Sequence, residues 1–227
     1  MTGLVRKATL LAVLGLVAAT TAMAGIPSPA NSTIPAYFDV YGCKASLPDP
    51  LNAVNTVTGF LNKITVRDIG NFPVVNCLVT LTFCGDVHLY NAVPGHPEMI
   101  VSCSPSAISA TTDINGVAQF YLVGSTINTN GNAVGTGAGC VTINACGVPF
   151  GTATATVFDE NGFVGVKGVE GGDLSAWLGD FGKKAIIGYK GRSDFNHNAS
   201  VEGGDLSIWL KVFGLGNSAA SCGTLCP

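Results

Sequence analysis

Oxygen-bearing side chains recur at every second position in one twelve-residue segment near the C-terminus, residues 194–205. Asp194, Asn196 and Asn198 occupy its positions 1, 3 and 5, and Asp205 closes it at position 12. Calcium takes six to eight oxygen ligands at about 2.3–2.6 Å, so a chain that curls around the ion presents alternate residues to it. The segment therefore predicts a calcium-binding loop whose last carboxylate begins the following helix.

Two more residues complete the predicted ligand set. Ser200 at position 7 offers its backbone carbonyl, and Glu202 occupies position 9, so the predicted metal ligands are Asp194, Asn196, Asn198, Ser200, Glu202 and Asp205. An ordinary solvated turn, with Asp205 as an N-terminal helix residue, is the alternative. Ala199 stands at position 6, where such loops carry glycine, and a left-handed backbone there costs about 1–2 kcal/mol. We therefore expect modest affinity.

The loop belongs to an internal repeat, because residues 169–182 and 201–214 are identical at eleven of fourteen positions. In each copy, large apolar residues recur at the spacing of one helical stripe. The sequence thus predicts two helices that pack on each other and end at Gly182 and Gly214. The predicted stripes are Leu174, Trp177, Leu178 and Phe181 in the first copy and Leu206, Trp209, Leu210 and Phe213 in the second.

The first copy lacks the ligands of the second. At the repeat offset, loop positions 1, 3 and 5 fall on Gly162, Val164 and Val166, none of which has a side-chain oxygen. Asp159 and Asn161 lie three residues further upstream and could serve only if the loop had gained an insertion. We therefore expect one working calcium site and one that is lost or weak.

Upstream of the repeat, short runs alternate apolar and polar residues, at 63–67, 79–83, 118–123, 141–143 and 152–158. Turn-forming clusters at 68–73, 113–116 and 128–132 separate them, and period-two runs with one wet face are typical of antiparallel sheets. We predict a mostly β chain, with an extended leader at 25–35, an antiparallel β-sandwich at 36–158, a small helical module at 159–216 and a cysteine-containing tail at 217–227.

The N-terminus has the features of an export signal. Arg6 and Lys7 precede an apolar run at 8–19 and the small-residue site Ala22-Met23-Ala24, which predicts a signal peptide over 1–24, with a retained anchor as the alternative. Cleavage would leave no membrane span, and nine basic against fourteen acidic residues. A nucleic-acid partner is not expected, because phosphate binding requires clustered Lys and Arg. We predict a secreted or cell-surface protein.

All eight cysteines lie beyond the signal, and an even number in an exported chain predicts disulfides, with buried free thiols as the alternative. Cys140 and Cys146 would lie about 20 Å apart in an extended strand, too far for a disulfide. We favour a pair between Cys84 and Cys103, which bracket a loop, and a small loop closed by the terminal cysteines 222 and 226.

Catalysis is not expected. The chain has no Gly-x-Ser-x-Gly, Walker or His-Glu-x-x-His motif, and its scattered carboxylates do not indicate an acid/base pair across a cleft. We expect Asp86, His88 and His96 to lie in a solvated loop. A carbohydrate-binding component of a polysaccharide-degrading assembly and a small hydrolase are the alternatives to a non-catalytic docking protein.

Two family resemblances extend these expectations. ITVRD at 64–68, GNFPV at 70–74, VTLT at 79–82 and ATTDINGVAQF at 110–120 resemble bacterial immunoglobulin-like domains of the invasin type, which implies a fold but no function. The tandem repeat, with its Asp-x-Asn-x-Asn loop and the Asp205-Leu206 pair, resembles the type I dockerin module. That resemblance implies calcium held by the second loop and a helical face that binds cohesin. Because Gly171-Gly172 and Gly203-Gly204 replace the Ser/Thr-type residues of cohesin-binding dockerins, a cell-surface partner or a structural role is an equal alternative.

Overall fold

The structure, a computed structural model, describes residues 25–43, 62–126, 139–161, 168–183, 193–214 and 222–227. These residues form ten strands and two α-helices, which confirms the mostly β prediction. In chain order the elements are β1 Tyr37–Val40, β2 Lys63–Thr65, β3 Leu78–Phe83, β4 Val87–Leu89, β5 Ile100–Cys103, β6 Ser106–Thr111, β7 Val117–Gln119, β8 Gly124–Thr126, β9 Val141–Ala145, β10 Val148–Val157, α1 Gly171–Asp180 and α2 Gly203–Gly214.

The largest sheet has six strands in the order β1-β10-β9-β3-β6-β5. Two smaller antiparallel pairs, β2 with β7 and β4 with β8, accompany it. Neighbours in the large sheet are antiparallel, but β1 runs parallel to β10 at its edge. The expectation of a wholly antiparallel sheet is wrong at this pair. The alternation of apolar and polar residues indicates which face of a strand meets solvent, but it does not indicate the direction of the partner strand.

One apolar core joins the three sheets. Along β3, Val79, Leu81 and Phe83 are buried while the threonines between them are only partly covered, which is the alternation expected of a strand with one dry face. Strands of all three sheets supply buried residues to the same cluster, among them Phe38, Ile64, Leu81, Leu89, Ala118 and Ile143. The described residues between 36 and 158 (36–43, 62–126 and 139–158), called here the β region, therefore share one core.

The predicted runs all contain strands, but five strands were missed. β4 is buried throughout, so it shows no alternation, and β1, β5, β6 and β8 are short or irregular in pattern. Residues 25–35 are bonded to the β region rather than simply extended, because Ser28 N donates to Arg67 O and Thr33 and Thr65 exchange backbone hydrogen bonds. The signal peptide and the 128–132 turn lie outside the described residues.

All eight cysteines are paired, which confirms the disulfide prediction. The pairs are Cys43–Cys222, Cys77–Cys146, Cys84–Cys140 and Cys103–Cys226. Cys140 and Cys146 are not joined to each other, as predicted. The Cys84–Cys103 pair is wrong, because the register that places Phe83 opposite Val141 brings Cys84 beside Cys140 instead.

The predicted disulfide between Cys222 and Cys226 is also wrong, because these cysteines pair with Cys43 and Cys103. The tail runs back along the β region, where Leu225 forms a bridge with Tyr90 and the Asn91 amide donates to the Thr224 hydroxyl. Four disulfides fit an oxidising, extracellular compartment. Within the described part of the chain, neither helix has the length and apolar character needed to cross a membrane.

Candidate metal loop and helical surface

The second loop curls so that its side-chain oxygens converge. The backbone N–H of Asn198 lies 3.1 Å from both Asp194 Oδ1 and Asn196 Oδ1, which places those two oxygens beside each other. Asp194 Oδ2 accepts the N–H of Ala199 at 2.8 Å. Asp194 is fully buried, so its carboxylate is held inside the loop by backbone donors and not by bulk water.

Asp205 closes the loop from the first turn of α2. Its Oδ1 accepts the N–H of Asn196 at 3.0 Å and its Oδ2 accepts the N–H of Glu202 at 2.8 Å. Burial raises the pKa of Asp205, and the nearby charge of Asp194 raises it further. A cation bound between these two carboxylates would oppose both effects, so the donor set fits a hard divalent ion.

Two residues of the loop adopt left-handed backbone conformations. Ala199 has φ +64° and His197 has φ +57°. Position 6 therefore has the left-handed backbone that glycine adopts in metal loops, although alanine replaces glycine there. A Cβ in this left-handed conformation costs about 1–2 kcal/mol, and the loop keeps its curl with alanine at this position.

The remaining predicted ligands lie on the outer half of the loop. Asn198 Oδ1 accepts the N–H of Ser200 at 2.9 Å, and its amide donates to Glu202 Oε1 at 2.8 Å. Among the described residues no cluster of three or more His, Cys, Asp or Glu side chains is placed to hold a metal ion. A calcium site here would therefore depend on amide and backbone oxygens beside the two buried aspartates.

The first repeat closes in the same way with different residues. Asn161 N–H donates to Asp173 Oδ1 at 3.0 Å and Glu170 N–H donates to Oδ2 at 2.7 Å, as Asn196 and Glu202 do with Asp205. Asp159 Oδ2 accepts the N–H of Gly168 at 3.1 Å. Asp159 and Asn161 thus take the places of Asp194 and Asn196, in a loop three residues longer.

The two helical glycines support this register. A Cβ added at Gly172 would clash with Asn161 Nδ2, and one at Gly204 would lie 2.9 Å from Asn196 Nδ2. The fixed-offset alignment to Gly162, Val164 and Val166, which lie outside the described residues, is therefore corrected. The signal available in the sequence was the Asp-x-Asn spacing at Asp159 and Asn161.

Each helix buries its tryptophan and leaves a leucine and a phenylalanine about half exposed. Trp177 and Trp209 are 0% and 1% exposed, in a cluster with Phe195, Val169, Val201, Val212, Tyr41 and Phe158. Leu178, Phe181, Leu210 and Phe213 remain 57%, 54%, 51% and 45% exposed. The prediction that whole stripes pack on each other is wrong, because the loops and the β region occupy the space around the tryptophans.

Gly182 has φ +78° just beyond α1, as expected of a C′ glycine, whereas Gly214 is still within α2.

The second loop is docked on the β region. The rings of Tyr41, Phe158 and Phe195 stack in series, with centroids 5.2 Å and 4.3 Å apart. His197 stacks on Tyr37 at 3.8 Å, and its Nε2 lies 3.7 Å from Oδ1 of the buried Asp39. These contacts leave no local pattern in the amino-acid sequence, since they join segments that are far apart in it.

The histidines of the β region do not form the expected solvated loop. His88 is buried, with Nδ1 2.8 Å from the carbonyl of Cys226 and Nε2 3.0 Å from that of Gly85. His96 is partly exposed, and its Nδ1 lies 2.9 Å from Glu98 Oε1. The two histidines thus have separate environments.

Comparisons with protein-family models, with curated proteins and with solved structures find no match.

Proposed function

We propose that this chain is a secreted, non-catalytic protein that docks to a partner through a calcium-organised C-terminal module. In this proposal the β region is an immunoglobulin-like sandwich of the invasin type that serves as spacer or binding module, and residues 159–216 are a dockerin-like module. The partner is a cohesin-like or other cell-surface protein. The second loop holds Ca²⁺ through Asp194, Asn196, Asn198, Ser200, Glu202 and Asp205.

One observation carries the docking proposal: equivalent positions of the two helices expose equivalent apolar residues. Leu178 and Phe181 on α1 correspond to Leu210 and Phe213 on α2, and all four are about half exposed. Within each helix the exposed leucine and phenylalanine are neighbours at i and i+3, and adjacent exposed apolar side chains are typical of interaction surfaces. The tryptophans one position before the leucines are buried, so the exposed pairs are not required to complete the core.

The role of calcium in this proposal is to hold the helix starts. Asp205 lies in the first turn of α2 and accepts two backbone N–H groups from the loop before it. An ion bound to this carboxylate and to Asp194 would fix the position of α2 relative to the loop, and with it the exposed pair. Binding energy of a metal that only the folded loop can hold stabilises that fold.

The proposal is tested with the mature protein, residues 25–227, and two immobilised probes: a type I cohesin domain and a cell-envelope fraction. We expect retention in millimolar Ca²⁺, release by chelator, and loss of retention in the double variant Phe181→Ser/Phe213→Ser. A matched control is Ile114→Ser, which changes an apolar residue that is 74% exposed in the β region. Retention that survives both chelation and the double substitution contradicts the proposal.

A further inference from the structure

An open cleft of about 360 Å³ lies on the outer face of β7. Ala118, Phe120 and Leu122 point into the core, so the alternate residues along this segment face outward. Its polar and aromatic lining is His96, Glu98, Thr111, Asp113, Gln119 and Tyr121. The cleft is thus built from the end of β6, the outer side of β7 and the loop that carries His96.

A two-ring stack forms one wall of the cleft. The His96 and Tyr121 rings are 3.4 Å apart at their centroids and inclined by 17°. The contact of His96 Nδ1 with Glu98 Oε1, at 2.9 Å, holds the imidazole in this orientation. A flat, partly exposed ring pair held in place by a hydrogen bond is a preformed platform for another flat, apolar face.

Polar groups without protein partners surround the platform. Within the part of the chain that the structure describes, the Thr111 hydroxyl, the Gln119 amide and His96 Nε2 make no hydrogen bond. Together they offer neutral donors and acceptors toward the same opening. A few converging polar groups beside an apolar platform are typical of a small-molecule site.

The charge of the cleft limits what can bind there. Glu98 and Asp113 both line it, and among the described residues that line it there is no Lys or Arg. The backbone N–H of Val117 holds the pKa of Asp113 below its usual value, and hydrogen bonds from its own N–H and from His96 do the same for Glu98. Both carboxylates are ionised at neutral pH, which disfavours phosphates and acidic ligands.

A second opening of about 600 Å³, lined by residues 91–97 and Met99, shares His96 and Met99 with the first. The shared residues connect the two openings along the protein surface, which suits a chain-like ligand better than a compact one. We propose that the cleft over Tyr121 and His96 binds a neutral saccharide chain. The C–H face of a sugar ring packs on the ring stack, and its hydroxyls bond to Thr111, Gln119 and His96 Nε2.

The test is affinity gel electrophoresis of the mature protein against four neutral polysaccharides: laminarin, hydroxyethylcellulose, galactomannan and arabinoxylan. Polygalacturonate serves as the acidic counterpart. We expect retardation by at least one neutral polymer and none by polygalacturonate, with affinity reduced at least tenfold in His96→Ala and Gln119→Ala. Thr111→Val, an isosteric change at the exposed edge of the cleft, is expected to weaken binding about threefold without altering the melting temperature.

Thr142→Val, at a threonine on β9 that is also exposed, is the control and keeps the affinity of the parent protein. Chelator leaves the retardation unchanged, because the cleft contains none of the loop ligands, so failure of the calcium proposal and failure of this one are distinguishable. The proposal is overturned if none of the four neutral polymers retards the protein, or if His96→Ala and Gln119→Ala bind as tightly as Thr142→Val.

Discussion

The backbone N–H of Asn161 donates to Oδ1 of Asp173 at 3.0 Å. Asn196 makes the same bond to Asp205 at the same distance in the second repeat. The two loops therefore close on their helices in one way, although fifteen residues run from Asp159 to Asp173 and twelve from Asp194 to Asp205. What the repeats share is the position of a carboxylate in the first helical turn and of the backbone N–H groups that it accepts.

The first prediction concerns backbone strain at Ala199. Because this residue has φ +64°, glycine in its place removes a steric cost of about 1 kcal/mol from the folded loop. Ala199→Gly should bind Ca²⁺ about fivefold more tightly in a calorimetric titration. The control is Ala176→Gly in α1, where glycine in a helix costs about 1 kcal/mol of stability and should not raise affinity. Equal or weaker binding by Ala199→Gly would count against the loop geometry.

The second prediction concerns pH in the absence of metal. Burial raises the pKa of Asp173 from its ordinary 3.8 to about 6, so the folded protein holds this proton more firmly than the unfolded chain does. The stabilising contribution is complete below about pH 4 and is lost as the pH rises through about 6. Urea midpoints measured in chelator should therefore decrease as the pH rises from about 4 to about 6. Asp173→Asn should flatten that part of the pH profile. An unchanged slope in the variant would show that other groups cause it.

The third prediction separates the core from the exposed surface. Trp177→Ala and Trp209→Ala each remove a fully buried side chain and should lower the free energy of unfolding by about 3–5 kcal/mol. Phe181→Ser and Phe213→Ser should each cost less than about 1 kcal/mol, since these rings are about half exposed and lose mainly a ring contact with the neighbouring tryptophan. Urea unfolding followed by circular dichroism measures both sets. Comparable losses in the two sets would mean that the phenylalanines belong to the core.

The fourth prediction concerns the tail. Peptide mapping without reduction should recover residues 222–227 linked to two separate peptides, one with Cys43 and one with Cys103. The variant Cys43→Ser/Cys222→Ser should lose about 2–5 kcal/mol of stability, because it opens a loop of 179 residues. Recovery of a peptide closed between Cys222 and Cys226 would contradict the pairing.

The sequence indicated the parts of the fold that depend on local pattern. Alternation located β3 and β9, and the repeat located both helices, because their apolar spacing is set by the element itself. It missed β4, which is buried on every side, and the parallel pairing of β1. Strand order and disulfide partners depend on which distant segments meet, as with Cys84 and Cys140, and such contacts leave no periodic signal.

The candidate site was predictable to the same extent. The six positions predicted as ligands in the second loop follow from spacing, and the structure places them in one curled segment, whereas calcium binding there stays a prediction. The register of the first loop failed because a fixed offset cannot represent an insertion, and the described residues give only its two ends. The ring pair of His96 and Tyr121 joins a loop to an outer strand face, so neither residue indicated it alone.

The most direct test of the calcium proposal uses the chain's two tryptophans, Trp177 and Trp209, which both lie in the repeat region. In the mature protein, saturating Ca²⁺ should shift their fluorescence and raise the melting temperature by roughly 5–10 °C at a hundredfold excess over the Kd. Asp194→Asn and Asp205→Asn should abolish both responses, whereas Asp113→Asn in the β region should keep them. The account would be contradicted if the fluorescence and melting temperature of the parent protein respond to neither calcium nor chelator. It would also be contradicted if the two aspartate variants respond as the parent does.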